Sequence, residues 1–157
     1  FYCRASSLER LHPHGIGPGS MTNEETDIDY DIGLMQPDAR RFEEALPNYP
    51  GLWGLHASLG TILALGPQVV EAHSLRLVSR AIEGLKQKGY LIHSPQEERH
   101  RSGILTFRHP NRSSEELNER LVEAGVDVTV RQGNLRIAPH FYNDDSDIDW
   151  LLEALPA

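Results

Sequence analysis

Cysteine is almost missing from this chain: Cys3 is the only one in 157 residues. That excludes an internal disulfide framework and the paired-cysteine zinc sites, and it suits a reducing compartment, so a cytoplasmic location is the expectation. Positive charge is also scarce. Fifteen Lys and Arg stand against 23 Asp and Glu, a formal net charge of −8. Such a chain repels polyphosphates and anionic lipid surfaces on average, which makes nucleic acid a poor partner. Long apolar runs are lacking as well. The most apolar stretch, Leu52 to Leu65, is interrupted by Gly54, His56, Ser58 and Gly60 and falls short of the roughly 20 residues a membrane span needs. No secretory signal is expected, and no repeat or low-complexity tract occurs. Lysine is confined to Lys86 and Lys88.

What is present reads as two stretches of different quality. Phe1 to Arg4 has a strand-like composition, and Ser6 or Ser7 suits the cap of a brief helix through Leu8 and Leu11. Residues 12–40 show no periodicity and hold Gly15, Gly17, Pro18 and Gly19 before an acidic run from Asn23 to Asp31. That excursion is too long for a simple connection, so it is either a functional loop or a segment whose packing partner lies elsewhere. His12 and His14 with Cys3 have the wrong spacing for a common zinc site, so no metal is expected. His93, His100 and His109 are scattered among charged loops and read as solvated.

After Pro50 the pattern sharpens. Leu52, Leu55, Leu59, Ile62 and Leu63 recur at helical spacing and predict an inward-facing stripe, stopped by Gly66-Pro67. A second helix opens on Pro67, turns Val70, Leu77, Val78, Ala81 and Leu85 inward, and ends in Lys86, Lys88 and Gly89. Strands follow at Tyr90–His93 and Ile104–Arg108, then a helix from Ser113 or Ser114 to Ala124, with Ser113 and Glu116 spaced as a capping box and Gly125 as its stop. Val126, Val128 and Val130 alternate with Asp127, Thr129 and Arg131, the mark of a strand with one wet face. Gln132-Gly133-Asn134 turns the chain into a strand at Leu135–Ala138, and Asn143 or Asp144 caps a last helix carrying Ile148, Leu151, Leu152 and Leu155. The fold class is therefore α+β: a small, mainly antiparallel sheet with helices on one face, preceded by two long helices.

The run Leu135-Arg136-Ile137-Ala138-Pro139-His140-Phe141-Tyr142-Asn143, followed by Asp147-Ile148 and Leu151 to Leu155, resembles the C-terminal signature of the class V aminotransferases and their kynureninase-like and epimerase-like relatives. Arg41-Phe42-Glu43, Pro47-Asn48, Gly66-Pro67 and Ser102-Gly103-Ile104 extend the resemblance backward, and Phe1 to Arg4 with Leu8 to Leu11 resembles the strand after the cofactor lysine. The resemblance implies the C-terminal domain of a fold-type I pyridoxal-phosphate (PLP) enzyme, with residues 1–50 the remnant of the large PLP-binding domain and 51–157 the small domain with its interdomain helix. It also implies an amino-acid substrate and a homodimer. The chain would begin just downstream of the Schiff-base lysine, in a longer parent. Without an imine-forming amine the coenzyme cannot serve as electron sink, so the chain alone is expected to bind no PLP and to be inactive. The other reading is a noncatalytic α/β interaction or regulatory module from a truncated gene.

Residue roles follow from the same resemblance. Arg136 falls where the family's arginine grips the substrate α-carboxylate through paired hydrogen bonds. Read without the motif, it would pair with Asp144 or Asp145 at a sheet edge. Arg131 is either a second anion contact or an exposed strand charge. His140 shares a face with Arg136 if the strand runs on through Pro139, and is otherwise structural. Ala45-Leu46-Pro47-Asn48 matches a loop that usually reads Gly-Thr-Pro-Asn and contacts the cofactor phosphate of the partner subunit. Leu46 cannot donate to a phosphate, so Leu46 and Asn48 mark only a loop position. Cysteine desulfurases of this class need a nucleophilic cysteine shortly before the arginine, and none is present.

Overall fold

The computed structural model describes residues 2–22 and 35–157, so Phe1 and the acidic run Asn23 to Asp31 lie outside the described residues. The chain divides into two compact units, Phe1–Leu59 and Gly60–Ala157, and the division falls inside a helix.

In the first unit, α1 spans Ala5–Leu8. Tyr2 to Arg4 form no strand: Arg4 is the extended cap residue of α1, and Ser6 and Ser7 lie within the helix instead of capping it. Among the described residues, 3₁₀ turns at Pro18–Ser20 and Ala39–Phe42 and an isolated bridge between Met21 and Met35 follow. Ser20 is buried because its hydroxyl donates to the Gly17 carbonyl at 2.8 Å and accepts from the Gly17 N–H at 3.0 Å. A side chain at Gly17 would collide with the Glu44 carbonyl, so only glycine fits there.

Helix α2 spans Tyr49–Leu65. Asn48 caps it, its Oδ1 accepting from the Gly51 N–H at 3.1 Å, and Pro50 sits in the first turn where no N–H is needed. The expected inward stripe is not realised: no residue of α2 is buried, and Trp53 is 72% exposed. The physical reason is that no charged residue divides α2 into a wet and a dry face, and apolar side chains point all round its axis.

The second unit matches its pattern closely. Helix α3, Pro67–Gln87, buries Leu77, Val78, Ala81, Ile82 and Leu85, with Val70 only half-buried. It ends in a Schellman motif: Gly89 N–H donates to the Lys86 carbonyl and Tyr90 N–H to the Leu85 carbonyl, with Gly89 at φ +83°. Strands β1 (Leu91–Ile92), β2 (Leu105–Arg108), β3 (Thr129–Arg131) and β4 (Asn134–Ile137) form one antiparallel sheet in the order β1-β2-β4-β3. β3 is shorter than its alternation predicted, and Val126 and Val128 pack on the core from the segment leading into it. The β3–β4 turn is formed by Gln132 (φ +50°) and Gly133 (φ +71°), the two positive-φ positions of a tight hairpin.

Helix α4 (Ser114–Glu123) is capped by the Ser113 hydroxyl, which accepts from the Glu116 N–H at 3.1 Å, and α5 (Asp145–Ala154) by Asp144 in a capping box with Asp147. The core joins α3, α4 and α5 to one sheet face through Leu105, Phe107, Leu135 and Ile137, with Leu117, Leu121, Ile148, Leu151 and Leu155 opposite. The helices thus cover one face, and Thr106, Arg108, Asn134 and Arg136, at the alternate positions, stand on the other. Among the described residues, no helix is long and apolar enough to cross a membrane.

Candidate functional site

Arg136 sits in the inner strand β4, level with Thr106 of β2 on one side and Thr129 of β3 on the other. It is half-buried, and its side chain makes no hydrogen bond or ion pair among the described residues. The acids that would have neutralised it are used elsewhere. Asp145 takes Arg76 at 2.6 Å, and Asp144 accepts from the Ser146 and Asp147 N–H groups at the start of α5. The Ser146 hydroxyl, then its N–H, hold the Asp144 carboxyl below its ordinary range. Arg136 therefore presents an unspent guanidinium beside two hydroxyl side chains, a donor set suited to a carboxylate.

A cavity of about 290 Å³ borders this residue, lined also by Asp127, Thr129, Asn143 and Asp147 and floored by Ile148 and Leu151. The corner leaving β4 is held firmly. Asn143 Oδ1 accepts from the His140 N–H at 3.0 Å, Asn143 Nδ2 donates to Asp147 Oδ2 at 3.0 Å, and the Asp144 N–H donates to the same oxygen at 3.0 Å. His73 of α3 adds a bond from Nε2 to the Asn143 carbonyl at 2.8 Å. Asn143 is thus the knot of the corner, and Asp144 is the cap.

Arg131 is exposed, paired in register with Asn134, and carries no ion pair among the described residues. His140 lies past the end of β4. It stacks on Tyr142 at 5.3 Å, borders a separate cavity of about 410 Å³ with Glu71, Ser74, Arg101 and Ser102, and leaves its Nδ1 buried with no partner among the described residues. Pro139 breaks the ladder between them, so His140 and Arg136 are not brought to one cavity. In the first unit, Leu46 is 87% exposed and Asn48 is engaged as the α2 cap. Both line a cavity of about 670 Å³ with Glu43 and Glu44, whose carboxylates oppose a phosphate. Lys86 is exposed, and Lys88 donates to the Leu155 carbonyl at 3.0 Å. Among the described residues no group of three or more His, Cys, Asp or Glu could hold a metal ion.

Sequence reasoning passed over Arg108. The signal was available, because Thr106 and Arg108 share a face of one strand, but the strand beside them was not readable. The register now puts Arg108 level with Asn134, one row from Arg136.

Residues 1–149 match the family model for aminotransferase class V. The chain is 30% identical over 130 residues to a probable cysteine desulfurase 2 of Mycobacterium leprae, covering 82% of this chain and 30% of that protein. A cysteine desulfurase of Pectobacterium carotovorum is 37% identical over 67 residues, covering 43% of this chain and 16% of that protein. Among solved structures, the apo cysteine desulfurase of Thermococcus onnurineus is similar with a TM-score of 0.82 at 22% identity, over 97% of this chain and 40% of that one. A cystine C–S lyase, C-DES, solved with its product cysteine persulfide, gives 0.83 at 19% identity, with 97% and 40% covered. The chain thus spans less than half the length of the proteins it matches.

Proposed function

Because the chain belongs to the class V aminotransferase family, we propose that it is the C-terminal portion of a PLP-dependent enzyme acting on an amino acid, in which Arg136 grips the substrate α-carboxylate. The observation that carries this reading is the Arg136 guanidinium, without a partner among the described residues, on the sheet face that the helices leave uncovered, between Thr106 and Thr129. A buried or half-buried arginine normally finds an acid within its own fold; one left free is available to an anionic ligand. Residues 1–50 belong in this reading to the large domain and its connecting loops, and residues 51–157 to the small domain with its interdomain helix. The exposed apolar α2 supports that division, since a helix apolar on all sides is ordinarily enclosed in a finished fold.

The residues described here do not fit the coenzyme itself. Lys86 lies exposed near the solvated end of α3, Lys88 is spent on a backbone carbonyl, and Glu43 and Glu44 border the loop where a phosphate donor would be needed. When bound, PLP withdraws electrons from the substrate Cα, and that chemistry rests on groups other than these. The present residues bind and orient: Arg136 fixes the carboxylate, and the Asn143–Asp147 knot holds the corner that leaves β4.

The relatives' names raise desulfurase chemistry as the reaction. Against it, the β3–β4 hairpin is closed by Gln132 and Gly133 alone, and Cys3 is the sole thiol in the chain. We therefore favour aminotransferase-like, lyase-like or epimerase-like chemistry that needs no cysteine nucleophile. In the complete enzyme, Arg136→Ala is expected to weaken binding of the amino-acid carboxylate by ~2–5 kcal/mol if the pair is desolvated. Substrate affinity unchanged in an equilibrium titration would remove the assignment. The 157-residue chain mixed with PLP should give no visible imine band; a band fixed by borohydride on Lys86 or Lys88 would contradict the reading.

A further inference from the structure

We propose that the uncovered sheet face selects an amino-acid substrate carrying a second carboxylate, read by Arg108 and Arg131. This rests on the assignment of Arg136 to the α-carboxylate and extends it. The antiparallel register sets the geometry. Arg136 is level with Thr106 and Thr129, and the adjacent row of the same face holds Leu91, Arg108, Asn134 and Arg131, since Leu91 pairs with Arg108 and Arg131 with Asn134. Arg108 and Arg131 are thus the two diagonal neighbours of Arg136, one on each flanking strand, with Cα atoms roughly 7–8 Å from it.

Three arginines at neighbouring positions of one sheet face repel one another even in a chain of net charge −8, because like charges at that spacing are unfavourable without an anion among them. Native sheets ordinarily offset such a row with acids on the facing strand. Here none does: among the described residues no ion pair involves Arg108, Arg131 or Arg136. Arg108 is oriented by a neutral partner, its Nε donating to His93 Nε2 at 3.1 Å. Asn134, between the two flanking arginines, is a neutral amide whose buried Oδ1 has no partner among the described residues. The acid nearest in register is Asp127, two residues before Thr129, on the side of Arg136 away from Arg108 and Arg131. Charge along the face therefore runs from negative at Asp127 to positive at the paired arginines.

A ligand with one carboxylate on Arg136 and another two carbons or so further on fits that gradient. The side-chain carboxylate of aspartate or glutamate would lie between Arg108 and Arg131, and a neutral side chain would leave both unsatisfied. Charge-assisted contacts of this kind favour the dianionic ligand by about tenfold.

The test uses the 157-residue chain and the arginine Nε–H resonances, titrated at fixed ionic strength with L-alanine, L-glutamate, L-aspartate and inorganic phosphate. Amide dispersion checks that each variant is folded. The expected result is that all three amino acids shift Arg136, that glutamate or aspartate binds about tenfold tighter than alanine while also shifting Arg108 and Arg131, and that R108Q with R131Q removes the preference while Arg136 still responds to alanine. Equal affinities with Arg136 still responding would overturn the second-carboxylate site and leave the Arg136 assignment standing. Phosphate binding as tightly as glutamate would overturn it too, as a general anion surface. No response of Arg136 to any amino acid would sink both.

Discussion

Helices α2 and α3 follow one another with only Gly66 between them, yet they behave as opposites. α3 buries a stripe from Leu77 to Leu85 and supplies much of its unit's core; α2, richer in apolar residues, buries none. The difference lies in charge spacing. Arg76, Arg80, Glu83 and Lys86 divide α3 into a wet and a dry face, whereas α2 carries no charged residue to orient it. Hydrophobic content alone does not decide what a helix packs against; asymmetry around its axis does.

The comparison can be broken most sharply at Leu85. It is fully buried, so Leu85→Ala should destabilise its unit by about 2–5 kcal/mol in denaturant unfolding. A loss below ~1 kcal/mol would mean that α3 is no more anchored than α2. Helix ends give a smaller effect. Ser113→Ala removes the acceptor for the Glu116 N–H and should cost about 1 kcal/mol, measured as a shift in urea midpoint at unchanged slope. Tyr90 sharpens the picture through pH. Burial raises its phenol above the ordinary value, while its hydroxyl donates to the Pro156 carbonyl. A raised folded pKa keeps the proton on the native state, so the contribution of Tyr90 to stability should be constant below the unfolded tyrosine pKa of about 10 and be lost as pH rises above it. Tyr90→Phe should flatten that alkaline loss. The smallest effect belongs to α2: Leu55→Ala should change stability by less than ~0.5 kcal/mol. A cost like that of Leu85 would show α2 to be packed in solution.

Much of the second unit was readable in advance because its signals are local. Pro67 and Gly89 bracket α3, Ser113 and Gly125 bracket α4, and the valine alternation from Val126 to Val130 marks a strand with one dry face. The site was half readable. The motif around Arg136 singled out the residue, but whether Asp144 or Asp145 neutralised it depended on Arg76 and Ser146, partners far in sequence or hidden in a cap. His140 was misleading for a similar reason: alternation from Arg136 counts only while the ladder continues, and Pro139 ends it.

In the second unit, the order of elements with most of their stops and caps, and for the chain the family, were determined by residue pattern alone, since each depends on φ preferences and on periodicities of 2 and 3.6 that neighbours in the chain enforce. Which strands lie side by side was decided only in three dimensions. The order β1-β2-β4-β3 puts Arg108 and Arg131 on either side of β4, and that meeting depends on pairing between segments separated by a helix, which short-range preferences do not encode.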